Sequence, residues 1–253
     1  MKNIVITGYP KSGNTWITRL VAELIQCPVE GFWQSQHDEI ASEGSDRNSP
    51  YACYKSHHQL YELESLEALP WKIIYVIRDP RDIVFSGMPY FYRGYLRAVK
   101  HRLFLHPVLS RIYYHLGGKQ EMKRVMIRTI LEGDSRTHRW CKVSWAAHVA
   151  PFVKRPDILK ITYRDMLSDP VSCCQNILEY LSVTRTAEEI SNAIQNQSFN
   201  VVSEKFRNSG QVRKAKFLRA GRRGYWRSQL SPAEQKLFAD ALGTELQDLG
   251  FTV

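Results

Sequence analysis

Asn3-Ile4-Val5-Ile6-Thr7, followed by Gly8-Tyr9-Pro10-Lys11-Ser12-Gly13-Asn14-Thr15-Trp16, decides the fold of this chain. The first five residues are a β-branched apolar run, the pattern of a strand buried on both faces of a parallel sheet. The next stretch is a loop bounded by glycines. It opens a helix, since Ile17, Leu20, Val21, Leu24 and Ile25 recur at helical spacing. A strand, a glycine-bounded loop and a helix N-terminus together present backbone N–H groups to an anion. The loop fits GxxxxGK[ST] at Gly8, Gly13 and Thr15, but Asn14 stands at the lysine position. The lysine comes three residues earlier, at Lys11. A phosphate still fits such a loop, and the usual β/γ-phosphate and Mg²⁺ geometry fits less well.

Outward from the loop, strand and helix patterns alternate. Residues 51–55 and 71–77 read as strands, the second followed by Arg78-Asp79-Pro80-Arg81-Asp82. A helix is expected from about Arg81 to Tyr92, with Pro80 suited to its first turn. Residues 95–132 read as helical with breaks at Pro107 and Gly117-Gly118, and Trp140 to Val153 as another helix. A strand at 158–163 precedes Arg164-Asp165, and helices are expected at 170–181 and 187–195. Residues 203–224 read as a long basic loop. Ser231 and Glu234 form a capping box for a final helix. The pattern predicts an α/β fold of the P-loop type, a three-layer α/β/α domain around a central, mainly parallel sheet. In such sheets ligands bind beyond the carboxyl ends of the strands. Residues 8–15, 55–58 and 78–86 follow three such ends and are expected to converge.

With 253 residues, 43% apolar, the chain can bury a large core. No apolar run approaches the roughly 20 residues of a membrane helix. No secretory h-region is evident, so a cytoplasmic location is the expectation. Five cysteines, odd in number and without metal-ligand spacing, read as reduced, mostly buried thiols, with no metal expected. The net charge of +10 is unevenly placed. Arg93 to Arg128 carries a net +8, Lys205 to Arg227 a net +9, and the remainder a net −7. Two such concentrations favour an anionic ligand or surface over a solvated face.

These residues resemble the sulfotransferases that use 3′-phosphoadenosine 5′-phosphosulfate (PAPS). YPKSGNTW is similar to that family's YPKSGTTW phosphosulfate loop, and RDPRDIVFS at 78–86 to its 3′-phosphate motif. Lys55-Ser56-His57 resembles its K-[ST]-H segment, ITYRDML at 161–167 its adenine-side strand, and FLRAG at 217–221 with Gly224 and Trp226 its RKGxxGDW segment. The resemblance implies one sulfotransferase domain over 1–253, with an acceptor-side helical region at about 93–140 and a cofactor-closing loop at about 203–227. It places Lys11, Ser12, Gly13, Asn14 and Thr15 at the 5′-phosphosulfate, and Trp16, Tyr163, Ser198 and Phe199 at the adenine. Arg78, Ser86, Arg219 and Gly221 fall at the 3′-phosphate. Two departures fall in the last segment, where Ala220 replaces the usual Lys and Tyr225 the usual Asp.

The same resemblance makes Lys11, Lys55, His57 and Ser86 the catalytic set. Lys11 suits the bridging oxygen, where charge develops as the sulfuryl group leaves. His57 is the candidate general base, because neutral imidazole can take the acceptor's proton near neutral pH. Adjacent His58 should point the other way. The implied co-substrate is PAPS, the product 3′,5′-adenosine bisphosphate (PAP), and the acceptor a hydroxyl on a sugar, glycolipid or other amphiphile. The basic, aromatic-rich segment 93–128 fits peripheral contact with an anionic membrane or an acidic glycan, and no nucleic-acid partner is expected. Ser144-Trp145 and His148 fit either the border of the acceptor pocket or a core helix. Two rivals remain at this point: a P-loop kinase with Asp79 or Asp82 on Mg²⁺, and a non-catalytic anion- or membrane-binding protein.

Overall fold

A computed structural model describes residues 1–34, 42–66, 68–99, 108, 112–208 and 223–253. Contacts divide the chain into two compact units. The first contains Met1–Gly8, Gly13–Ile77 and Arg155–Arg223; the second contains Tyr9–Ser12, Arg78–Lys154 and Gly224–Val253.

The first unit is built on a five-stranded sheet: β1 (Lys2–Thr7), β2 (Val29–Phe32), β3 (Tyr51–Lys55), β4 (Lys72–Ile77) and β5 (Leu159–Thr162). The order is β2-β3-β1-β4-β5, and every neighbouring pair is parallel. This is the α/β architecture the alternation predicts. Parallel neighbours need crossovers, and α1 (Asn14–Leu24) supplies the first. Helix α2 (Leu60–Glu64) lies between β3 and β4. Ile4 and Ile6 from β1, Ile17, Leu20, Val21 and Leu24 from α1, and Ile74 and Val76 from β4 are almost fully excluded from solvent in one cluster. Each such side chain contributes about 1.5–3 kcal/mol of transfer free energy. β1 is the central strand, and its carboxyl end lies where the strand order reverses, the place where open α/β sheets hold ligands.

After β5 the chain turns directly into α6 (Tyr163–Ser168). Tyr163, predicted at the end of the strand, is therefore the first residue of a helix. Thr162 causes this: its hydroxyl accepts the N–H of Asp165 at 3.0 Å. Helices α7 (Pro170–Leu181) and α8 (Ala187–Asn196) follow the expected spans. Helix α9 (Phe199–Asn208) corrects the loop expectation for residues 203–208, which are helical.

The second unit is helical. Helix α3 (Pro80–Val99) is longer than predicted and carries Pro89 inside it. A π-turn (Tyr114–Gly118) leads into α4 (Lys119–Glu132). A 3₁₀ turn (Arg139–Cys141) and α5 (Trp145–Val153) divide what the sequence predicts as one helix. Ser144 makes the break by capping α5 through the Ala147 N–H. Helix α10 (Pro232–Asp248) has the predicted capping box of Ser231 and Glu234. The break predicted at Pro107 lies outside the described residues.

Candidate functional site

In the first unit the strand register brings one group of the candidate residues together. Ile6 of β1 pairs with Lys55 of β3, and the Ser56 N–H donates to the Ile6 carbonyl at 2.8 Å. Residues 56–57 are thereby laid against Gly8. An added Cβ on Gly8 would lie 2.5 Å from the Val76 carbonyl oxygen, so glycine alone fits there. The His57 Nδ1 lies 2.8 Å from the Gly8 carbonyl oxygen. The Asn14 amide donates to the Gly8 carbonyl at 2.9 Å and to the Ser56 carbonyl at 3.1 Å, and it lies 3.1 Å from His57 Nδ1. Lys55 and His57 both flank the Phe32 ring, at 5.8 Å each. His57 is partly exposed, whereas His58 is buried, with its Nδ1 2.8 Å from the Ser56 hydroxyl. The two histidines differ in burial, although both follow the end of β3 and both rings lie near Phe32, His58 at 6.0 Å.

The start of α1 has the donors an anion needs. No protein acceptor among the described residues takes the N–H groups of Gly13, Asn14 or Thr15, and Gly13 provides no side-chain cap. Gly13 sits at φ 104°, and a Cβ there would lie 2.7 Å from the Tyr163 ring. Tyr163 meets the Trp16 indole edge-on at 5.7 Å, and Phe199 lies against the same indole at 5.1 Å. The indole N–H donates to the Gln197 carbonyl at 2.8 Å. Three residues that the resemblance assigns to adenine, far apart in sequence, therefore form one aromatic cluster, with Ser198 beside them in the chain.

The second unit carries the other candidates. Lys11 adopts φ 74°, rare for a side-chain-bearing residue. Its ammonium lies 4.1 Å from the centre of the Tyr90 ring, and its carbonyl accepts from Arg78 Nη1 at 3.1 Å. Ser12 is buried, and its hydroxyl oxygen has no hydrogen-bond partner. Its N–H donates to Tyr9 O at 3.1 Å, which removes it from the donors expected for phosphate. Ser86 and Tyr90 are one turn apart on α3.

The Arg78–Asp82 segment is held from behind. Asp79 forms a bidentate pair with Arg81 and accepts the Trp226 indole N–H at 3.1 Å. Asp82 accepts the N–H groups of Gly224 at 2.8 Å and Trp226 at 3.3 Å. Burial holds the Asp82 carboxyl above its ordinary range, although those N–H groups pull the other way. Asp79 and Asp82, the acids a kinase would need for Mg²⁺, are spent on this internal network.

Arg219, Gly221 and the departure at Ala220 lie outside the described residues. Among the described residues no cluster of three His, Cys, Asp or Glu could hold a metal ion. All five cysteines are buried. Burial pushes the Cys141 and Cys174 thiols up to about 12 and that of Cys173 to about 11. Phe32 and Tyr90 were not legible as site neighbours. Tyr90 had one signal, its i+4 spacing from Ser86.

A sulfotransferase domain matches residues 1–250, and the chain belongs to the sulfotransferase family. Human sulfotransferase 2A1 is 24% identical over 270 residues, covering 98% of this chain and 85% of that one. Among solved structures, mouse sulfotransferase SULT7A1 complexed with PAP is 19% identical with a TM-score of 0.66, over 98% of this chain and 86% of that one. Retinol dehydratase, in complex with androsterone and the inactive cofactor PAP, is 16% identical with a TM-score of 0.60, over 100% and 83%. These two likenesses show the fold. Family membership sets aside the kinase and the non-catalytic binder.

Proposed function

We propose that this chain moves the sulfuryl group of PAPS to the hydroxyl of an apolar or amphiphilic acceptor, with His57 as the base. The observation that carries the reading is His57 seated on Gly8 of the phosphate loop at 2.8 Å. In the transfer the bond between sulfur and the phosphate bridging oxygen breaks. A bond from the acceptor oxygen to sulfur forms, and the acceptor's proton passes to His57. Lys11 takes the charge developing on the bridging oxygen, and Lys55 faces the transferring group. The N–H groups of Gly13 to Thr15 and the α1 dipole suit the 5′-phosphate. Trp16, Tyr163 and Phe199 suit adenine. Arg78, Ser86, Arg219 and Gly221 suit the 3′-phosphate, Arg78 through its forked donors.

PAP without Mg²⁺ should raise the melting temperature, by the equivalent of about 2.7 kcal/mol at a hundredfold excess over Kd. Stabilisation by ATP–Mg²⁺ alone would count against this reading. For the acceptor, the family and the androsterone-bound neighbour favour an apolar alcohol over a free sugar. Labelled PAPS offered to a sterol, a retinoid and a glycolipid alcohol decides between them.

Peripheral membrane contact through 93–128 is the finer part of the reading. No helix among the described residues is long and apolar enough to cross a membrane. Leu116 is 81% exposed and Ile112 50%, beside exposed Lys119, Arg124 and Arg128. Apolar and basic side chains together suit an anionic lipid surface. At low salt the protein should float with anionic liposomes and remain behind with neutral ones; no flotation with either removes the membrane version.

A further inference from the structure

A carbonyl oxygen only accepts hydrogen bonds. The 2.8 Å approach of His57 Nδ1 to Gly8 O therefore places a proton on Nδ1. The Asn14 amide fits this arrangement. Its nitrogen has two protons, and two carbonyls, Gly8 O and Ser56 O, lie at 2.9 and 3.1 Å. Neither proton remains for His57 Nδ1, so the 3.1 Å approach of the two nitrogens is a packing contact. Turned over, the amide would set its oxygen against both carbonyls.

We infer that Asn14 is a positioning residue for His57: by bridging Gly8 O and Ser56 O it holds the loop carbonyl against Nδ1, so that Nε2 is the nitrogen that receives a proton. The tautomer of a histidine is set by the bond its other nitrogen makes. Asn14 stands where the nucleotide triphosphatase pattern places lysine and where the resembling motif has threonine. A threonine is too short to span the two carbonyls, so this chain ties its loop to the 55–57 segment through one amide. The proposal rests on His57 as base for its catalytic meaning, while its structural content, the ring tautomer, is measurable separately.

The test uses the full-length protein with ¹⁵N-labelled histidine, the His57 signal being assigned by its loss in His57→Ala. The wild type should show a protonated Nδ1 and an unprotonated Nε2 at neutral pH. In Asn14→Thr the His57 signals should move toward a tautomer mixture. Its kcat should fall roughly tenfold, part of the general-base contribution, with the KM for PAPS changed less than about threefold because the loop's backbone donors remain. A wild-type His57 protonated on Nε2 would overturn the inference. So would an Asn14→Thr protein whose tautomer and kcat are unchanged. If that variant does not fold, the wild-type spectrum alone still decides the tautomer. If His57→Ala stays active, the base assignment falls, and the tautomer is still read from the same spectra.

Discussion

His57→Ala should lose at least about 100-fold in sulfuryl transfer, since a positioned general base is worth 10²–10⁴ in rate. PAP affinity should stay within about twofold, because imidazole is not among the groups assigned to either phosphate. The pairing with His58→Ala makes the test discriminating. His58 is buried against Ser56 and accepts the Thr7 hydroxyl on its carbonyl at 3.3 Å. Its loss should lower the melting temperature and leave the turnover of folded protein near normal. Initial rates with labelled PAPS, alongside calorimetric titration with PAP, measure both. If His57→Ala turns over near the wild-type rate and His58→Ala does not, the base has been assigned to the wrong ring.

Gly13→Ala should be the most damaging single methyl in the loop. Position 13 adopts φ 104°, where a side chain is strained at a cost of about 1–3 kcal/mol. The new Cβ would also meet Tyr163 Cδ2 at 2.7 Å and Cε2 at 2.9 Å. That ring is packed edge-on against Trp16, so relief must come from backbone movement, a further cost of about 1–3 kcal/mol. The sum, about 2–6 kcal/mol, predicts a fall in melting temperature of roughly 4 to 24 °C. PAP affinity should drop as well, because the α1 donors begin at this residue. The double variant Gly13→Ala/Tyr163→Ala should recover the steric part and keep the backbone part, so its stability cost should be less than additive. Gly13→Ala melting within a degree or two of wild type, and binding PAP normally, would mean the loop does not need this geometry.

The strongest elements were legible because their signal is local. β1, β3 and β4 are β-branched or aromatic runs ending in polar residues, and α7 and α10 begin with proline after a capping side chain. β2 carries no such signal: Val-Glu-Gly-Phe is four residues long, bulged near Gly31, and held by its pairing with β3. Phe32, at its end, has no local signal either. The helical start at Tyr163 was readable, since Thr162 and Asp165 form a short capping pattern. The apolar residues Ile158, Leu159 and Ile161 leading into it outweigh that signal. The site divides similarly. The candidate residue types were visible, but the contact of Asn14 with residue 57 depends on the Ile6–Lys55 register, which no spacing within one segment encodes.

Lys11 has a consequence for how this protein can change. Its backbone adopts a conformation in which glycine or asparagine would be at ease, and a lysine holds the position instead. With Lys11 in its proposed place at the bridging oxygen, pressure for thermal robustness and pressure for turnover act in opposite directions on one residue. Substitutions that relax the chain there remove the cation, so a lineage or a directed screen that rewards only persistence of the fold would drift toward a sturdier protein with less chemistry.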